Sequence, residues 1–159
     1  ALLALDQAKA FNFLGNHELK KSKLEKAAAL IGEIDRNKGE FDLSVDLTTL
    51  GLVKAMQDDN EEGIALADEA MALFPLEKDV VDGSLVHMSA AYIKAYAGQR
   101  DEALKMIEPL LVTPGGFKHW HLFLDPQWDF MRSDERFNQL IKPANLEQSI
   151  HANKENNAL

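Results

Sequence analysis

The sequence predicts an all-α protein built from about three helix hairpins. Apolar residues recur at helical spacing through most of the chain, and no segment alternates apolar and polar residues for long enough to indicate a strand. Short polar or glycine-containing stretches divide the helical segments into pairs. The second and third pairs also align with each other at an offset of 40 residues. These observations together indicate a helical repeat.

The first hairpin is predicted over about residues 1–39. Its first helix carries apolar residues at helical spacing in "LLALDQAKAFNFLG" and ends near Gly15. Its second helix begins near Glu18 in "ELKKSKLEKAAALIGEIDRNKG", and Gly39 is predicted to stop it.

The second and third hairpins are predicted over about 44–75 and 84–114. In the second, "SVDLTTLGLVKAM" and "EEGIALADEAMALF" are separated by the polar turn "QDDN" and end at Pro75. In the third, "GSLVHMSAAYIKAYAG" and "RDEALKMIEPLLV" meet at Gly98 and end at "TPGG". Each hairpin therefore has two helices joined by a short turn.

Small residues coincide when the second hairpin is laid on the third at the 40-residue offset. Gly51 falls on Ala91, and Gly63 falls on Ala103. Asp58 falls on Gly98 at the turn. A small side chain lets two helices approach closely, so we expect Gly51 and Ala91 at the contact between the helices of a pair.

These motifs resemble the tetratricopeptide repeat, most clearly in "LTTLGLVK…GIALADEA…FP" and "HMSAAYIK…GQRDEALKMI…TP". The resemblance covers residues 44–115 well and 1–115 loosely. Leu47 and His87 replace the usual large aromatic residue, Gly63 replaces an alanine, and Lys20 lies where a small residue is expected. The resemblance implies a short right-handed α–α superhelix that binds protein segments along the face formed by the first helix of each pair.

That face is expected to bind an amphipathic helix or a hydrophobic peptide. The repeat alignment assigns it these candidate partner-binding residues: Leu5, Lys9, Val45, Thr48, Leu52, Leu85, Met88 and Tyr92. The basic clamp with which some tetratricopeptide proteins hold a C-terminal carboxylate is absent, because Leu5, Lys9, Thr49, Leu85 and Ser89 lie at its positions. Two other occupants remain open: a neighbouring domain of the same chain, or a second copy that would form a homodimer.

A closing helical cap is predicted over 117–142, completing one domain at 1–142. The phrase "LDPxWDxxRxDxRFxxL" resembles the segment that follows the last repeat in many bacterial tetratricopeptide proteins. Asp125 and Ser133 are expected to cap its helices, and Arg132 and Arg136 to pair with nearby acids. Trp128 and Phe137 are expected to be buried, covering the apolar face of the last hairpin. Residues 143–159 are predicted to form a polar tail.

His119 and His121 are the only residues whose spacing raises the question of a metal site. An i, i+2 histidine pair chelates only from an extended segment and needs a third ligand, for which Asp125 is the nearest candidate. The favoured interpretation is structural, with Trp120 packed under the cap and both histidines facing solvent. We therefore expect no metal, no cofactor and no catalytic residue.

Composition narrows the classes of partner. The 159 residues carry a formal charge of −9, from 26 acidic and 17 basic side chains, which disfavours direct binding to nucleic acid or to anionic membranes. No apolar run approaches the roughly 18–20 residues of a membrane span. The absence of cysteine excludes disulfides, zinc ribbons and thiol nucleophiles. A soluble protein is expected, with the cytoplasm favoured and the periplasm possible.

The sequence thus favours a protein–protein interaction module without catalysis of its own, serving as scaffold or sensor in a larger bacterial regulator or enzyme. The chain begins with Ala1, so we expect it to be processed or cut from a longer protein. The alternative is a ligand-sensing or self-associating domain that controls an upstream DNA-binding or catalytic domain.

Overall fold

A computed structural model describes residues 1–32, 34–113 and 117–141, and within these ranges all regular structure is helical. The α-helices are α1 (Leu2–Phe13), α2 (His17–Ile31), α3 (Glu40–Met56), α4 (Asn60–Leu73), α5 (Val80–Tyr96), α6 (Arg100–Val112), α7 (His119–Leu124) and α8 (Glu135–Ile141), with a 3-10 helix at Pro126–Met131. The predicted all-α class is confirmed. The tail predicted at 143–159 and the third hairpin's predicted end at 114 lie outside the described residues.

The first six helices pack as consecutive hairpins, α1 with α2, α3 with α4 and α5 with α6. Neighbouring hairpins are joined because α2 packs on α3, and both α3 and α4 pack on α5. This is the arrangement of an α–α helical repeat. The chain divides into two compact units, Ala1–Gly116 and Phe117–Leu159, so the hairpins and the closing segment are described separately.

The three hairpin turns have the same backbone. Each contains one residue in the left-handed conformation, namely Gly15 (φ 67°), Asp58 (φ 67°) or Gly98 (φ 92°). The following N–H donates to the carbonyl five residues earlier in all three turns: Asn16 to Phe11 (2.9 Å), Asp59 to Lys54 (3.0 Å) and Gln99 to Lys94 (2.8 Å). The left-handed residue itself donates to the carbonyl three residues earlier. Each first helix therefore ends in a Schellman motif, as expected of a true repeat.

Gly51 and Gly63 face each other where α3 crosses α4. A Cβ atom built on Gly51 would lie 2.9 Å from the carbonyl oxygen of Gly63, and one built on Gly63 would lie 2.8 Å from the carbonyl oxygen of Gly51. No side chain fits at either position without moving backbone. The predicted close contact at Gly51 is confirmed, and Ala91 is fully buried, also as predicted.

The end of the first hairpin differs from the prediction. Helix α2 ends at Ile31, where Gly32 follows at φ 58°, rather than continuing to Gly39. Gly39 instead precedes α3 as its N-cap residue. Between them, the Asp35 carboxylate accepts the backbone N–H of Asn37 at 3.0 Å, a local turn that competes with helix. The second and third hairpins also begin at Glu40 and Val80, each four residues before their predicted starts.

The closing segment packs its own aromatic residues together. Trp128 and Phe137 are buried, as predicted, with their ring centroids 5.7 Å apart. The Asp125 carboxylate caps the 3-10 helix by accepting the N–H of Gln127 at 3.0 Å, and Pro126 is the first residue of that helix. These arrangements follow the predicted roles of Asp125 and Trp128.

The cap of α8 is Asp134 rather than the predicted Ser133. The Asp134 carboxylate accepts the N–H of Arg136 at 3.0 Å and pairs with the Arg136 guanidinium at 2.8 Å. Asp134 immediately precedes α8, so its carboxylate reaches the free N–H groups of the first turn, whereas Ser133 lies one residue too early. The predicted pairing of Arg132 with Asp129 is observed at 2.7 Å.

Candidate binding surface

The residues predicted to contact a partner occupy equivalent positions on the first helices of the hairpins. On α3, Val45, Thr48 and Leu52 are spaced i, i+3 and i+7 and so share one side of the helix. On α5, the equivalents at the 40-residue offset are Leu85, Met88 and Tyr92. Because α3 packs beside α5, the structure brings these two sets onto neighbouring helices. We call them, with Leu5 and Lys9 of α1, the first-helix surface.

Their exposure divides the first-helix surface into two groups. Leu85 is 45% exposed, and Val45 and Lys9 are half-buried. The buried members are Leu5, Thr48, Leu52, Met88 and Tyr92. Buried side chains hold the helices together and leave little area for a partner. The part of this surface that a partner can reach is therefore centred on Val45 and Leu85.

Sequence reasoning missed the acidic residues that accompany the accessible apolar ones. Asp42 lies three residues before Val45, and Asp82 lies three residues before Leu85, so each carboxylate occupies the same helix face as its apolar neighbour. Both aspartates lie in the first turn of their helix. The signal was present in the sequence, because "DLSVDLTT" and "DGSLVHMS" repeat Asp, Ser and a hydroxyl residue at the same spacing.

The hydroxyl groups of this motif are used within their own helices. Thr49 donates to the carbonyl of Val45 at 2.7 Å, and Ser89 donates to the carbonyl of Leu85 at 2.9 Å. Ser44 donates to Glu40 at 2.8 Å and across the hairpin to Ala70 at 3.2 Å. These bonds satisfy the hydroxyl donors locally. What remains for a partner is apolar surface with carboxylates beside it.

Ion pairs hold neighbouring hairpins in place. The ammonium group of Lys94 on α5 lies 2.7 Å from the Asp68 carboxylate on α4, with the lysine side chain only 9% exposed. Arg36, which precedes α3, pairs with Glu69 on α4, and this partner raises the pKa of the Arg36 guanidinium. Lys20 donates to the Tyr96 hydroxyl at 3.3 Å, which links α2 to α5.

Lys20 also lines a cleft between α2 and the α3–α4 turn. The cleft has a volume of about 380 Å³ and is lined by His17, Lys20, Lys21, Leu24, Glu25, Met56, Gln57 and Asp58. Basic and acidic side chains alternate around it, so it offers no field of one sign to a charged ligand.

Across the described ranges, no group of three or more His, Asp or Glu side chains is placed to hold a metal ion. His119, Trp120 and His121 lie on the helix α7 rather than in an extended segment. Trp120 is 58% exposed and both histidines are half-buried, so the predicted packing of Trp120 under the cap is wrong. The physical reason is that Leu122 is the buried residue of this short helix, and Trp120 lies about 200° away around the axis. The Nδ1 atom of His121 accepts the N–H of Lys118 at 2.9 Å.

Two groups have pKa values that matter for stability. His87 is the equivalent of Leu47, and its Nε2 atom is buried without a hydrogen-bond partner. Burial lowers the pKa of His87 below its usual 6.5, an effect that the nearby Glu77 carboxylate partly opposes. In the closing segment, hydrogen bonding from Arg136 lowers the pKa of Asp134 to about 2.

Comparison with known proteins finds no matching family model, no similar curated protein and no similar solved structure. Within the part of the chain that the structure describes, no helix has the length and apolarity needed to cross a membrane.

Proposed function

We propose that this chain is a tetratricopeptide-like interaction module that binds a protein segment along its first-helix surface. The observation that supports it is the repeat: three hairpins whose turns share one Schellman backbone and whose first helices carry equivalent residues on one face. Repeats of this kind present a row of similar contacts to an extended partner. The module serves as scaffold or sensor in a larger bacterial regulator or enzyme.

The proposal rests on Leu85 and Val45 as the accessible apolar contacts. An exposed leucine on a helix otherwise committed to packing is a feature of contact surfaces, although a single one carries little weight. Its weight increases because Val45 occupies the equivalent position one hairpin earlier.

Peptide selection tests the proposal. A random peptide library is panned on the immobilised protein, and the dissociation constants of selected peptides are measured by fluorescence anisotropy. We expect Leu85→Asp to weaken binding at least tenfold, because a carboxylate would enter an apolar contact. Val112→Asp on α6 is the matched control, since Val112 is 78% exposed and lies on a second helix. Selected peptides that ignore Leu85 but respond to Val112 would refute the proposal.

Self-association is the second candidate, and one observation favours it. Helix α1 exposes Leu3 (73%), Phe13 (50%) and Leu14 (76%), and Leu3 and Leu14 lie eleven residues apart on one side of the helix. A second copy would cover this apolar side in a symmetric dimer. Light scattering across a range of protein concentrations tests it: a dimer that Leu14→Lys dissolves supports this candidate, and a monomer at all concentrations contradicts it.

A further inference from the structure

We infer that the occupant of the first-helix surface is a basic amphipathic helix; this inference rests on the proposed function. It follows from a repeated arrangement of charge and apolar area on α3 and α5. On each helix a carboxylate in the first turn, Asp42 or Asp82, lies three residues before the accessible apolar residue, Val45 or Leu85. Val81 extends the apolar side of α5 by one turn and is 61% exposed.

The charge of this face is negative after its own cations are counted. Lys9 lies 3.7 Å from Asp6, and Lys38 pairs with Asp46, so each lysine is matched by one carboxylate. Asp42 and Asp82 add negative charge beyond these pairs, although Lys38 also interacts with Asp42. The whole chain carries a formal charge of −9. Lysine or arginine side chains on a partner are therefore attracted to the edges of the apolar strip, and acidic partners are repelled.

The spacing of the hairpins fits a helical partner. Packed helices such as α3 and α5 lie about 8–10 Å apart, so Val45 and Leu85 recur along the surface at about this interval. An α-helix advances about 10 Å in seven residues. Apolar residues at positions i and i+7 of a partner helix thus contact successive hairpins, and residues at i+3 or i+4 lie between them. Leu2 on α1 is 59% exposed and occupies the equivalent position one hairpin earlier, which extends the same strip.

The experiment uses a pair of designed peptides as probes. Both are fluorescein-labelled helices of roughly 18 residues with Leu at i, i+3 or i+4, and i+7. One carries Lys on the two flanks of the apolar strip, and its twin carries Glu there. We expect the Leu/Lys peptide to bind at least tenfold tighter than the Leu/Glu twin at low salt, and the difference to shrink as NaCl is raised.

A matched pair of variants locates the charge. The double variant Asp42→Asn/Asp82→Asn is expected to weaken binding of the Leu/Lys peptide about fivefold, the sum of two partly exposed ion pairs. The control is Glu61→Gln/Glu102→Gln, which removes the same charge from the first turns of α4 and α6. Thermal melts of both variants check that the fold is retained.

Each outcome decides a different claim. Equal binding of the two peptides, with Leu85→Ala still damaging, overturns the charge inference and leaves the proposed function standing. Equal weakening by the Asn variant and the Gln control also overturns it, because the attraction would then come from net charge alone. Failure of both peptides to bind, together with no Leu85-dependent peptide from the library selection, overturns the inference and the proposed function together.

Discussion

The three hairpins share one backbone plan but solve the helix crossing with side chains of different size. At the equivalent crossing positions the first hairpin has Ala8 and Lys20, the second has Gly51 and Gly63, and the third has Ala91 and Ala103. In the second hairpin the two backbones almost touch, because neither glycine has a Cβ atom. In the first hairpin Lys20 stays half-buried and sends its ammonium group to Tyr96. The repeat therefore fixes where helices cross, and the local residue sets how close they come.

The largest effect is expected from adding a methyl group to the second crossing. Gly63→Ala would place a Cβ atom 2.8 Å from the Gly51 carbonyl oxygen and 3.1 Å from the Ala55 nitrogen, both in the backbone of α3. We expect the free energy of unfolding to fall by about 2–3 kcal/mol, despite alanine's better helix propensity. Urea unfolding measures it. Ala103→Gly makes the reverse change in the third hairpin and should cost only about 1 kcal/mol; similar losses would show that the two crossings are equally tight.

The next effect concerns the turns. Asp58 adopts the left-handed conformation that Gly15 and Gly98 adopt in the other hairpins, at a steric cost that glycine avoids. We expect Asp58→Gly to raise the free energy of unfolding by up to about 1 kcal/mol, and Gly98→Ala to lower it by a similar amount. Thermal melts of the two variants measure both signs. A destabilised Asp58→Gly protein would mean that the aspartate side chain contributes more than its backbone strain costs.

A smaller effect is expected at Lys20. Replacing it with alanine restores the small residue found at the other crossings but removes the hydrogen bond to Tyr96 and a cation–π contact at 5.9 Å from the ring. We expect a loss of about 0.5–1 kcal/mol. Tyr96→Phe is the matched control, because it removes the hydroxyl and keeps the ring. If Lys20→Ala stabilises the protein, the first crossing is limited by the lysine rather than supported by it.

The smallest effect is a pH dependence from His87, which replaces Leu47 of the second hairpin. Its pKa is lowered in the folded state, so the unfolded chain takes up the proton more readily. The stability from keeping His87 neutral is thus fully present above about pH 6.5 and decreases as pH falls below it. His87→Leu, which copies the second hairpin, should flatten this dependence between pH 7.5 and pH 5. The urea midpoints at these two pH values provide the comparison, and an unchanged slope in the variant would exclude His87 as its source.

The sequence was sufficient for the helices and their pairing, because these depend on local signals. Helical spacing of apolar residues, a left-handed residue at each turn and proline after α4 together placed three hairpins, and the boundaries of α6 agree to the residue. The offset of 40 residues also identified Gly51 as a crossing residue. Gly39 was assigned to the wrong helix, because a glycine before a helix and one after it look alike until the competing turn at Asp35 is seen.

The accessibility of the candidate site was decided by tertiary packing. Helical spacing placed Met88, Tyr92 and Leu85 on one side of α5, but it carries no information on which of them a neighbouring helix covers. Burial of Met88 and Tyr92 and exposure of Leu85 arise from how α3 and α4 pack on α5. The same holds for Lys20, whose partner Tyr96 lies 76 residues away in the chain. Periodicity is a local property of the chain, whereas exposure depends on contacts between residues far apart in sequence.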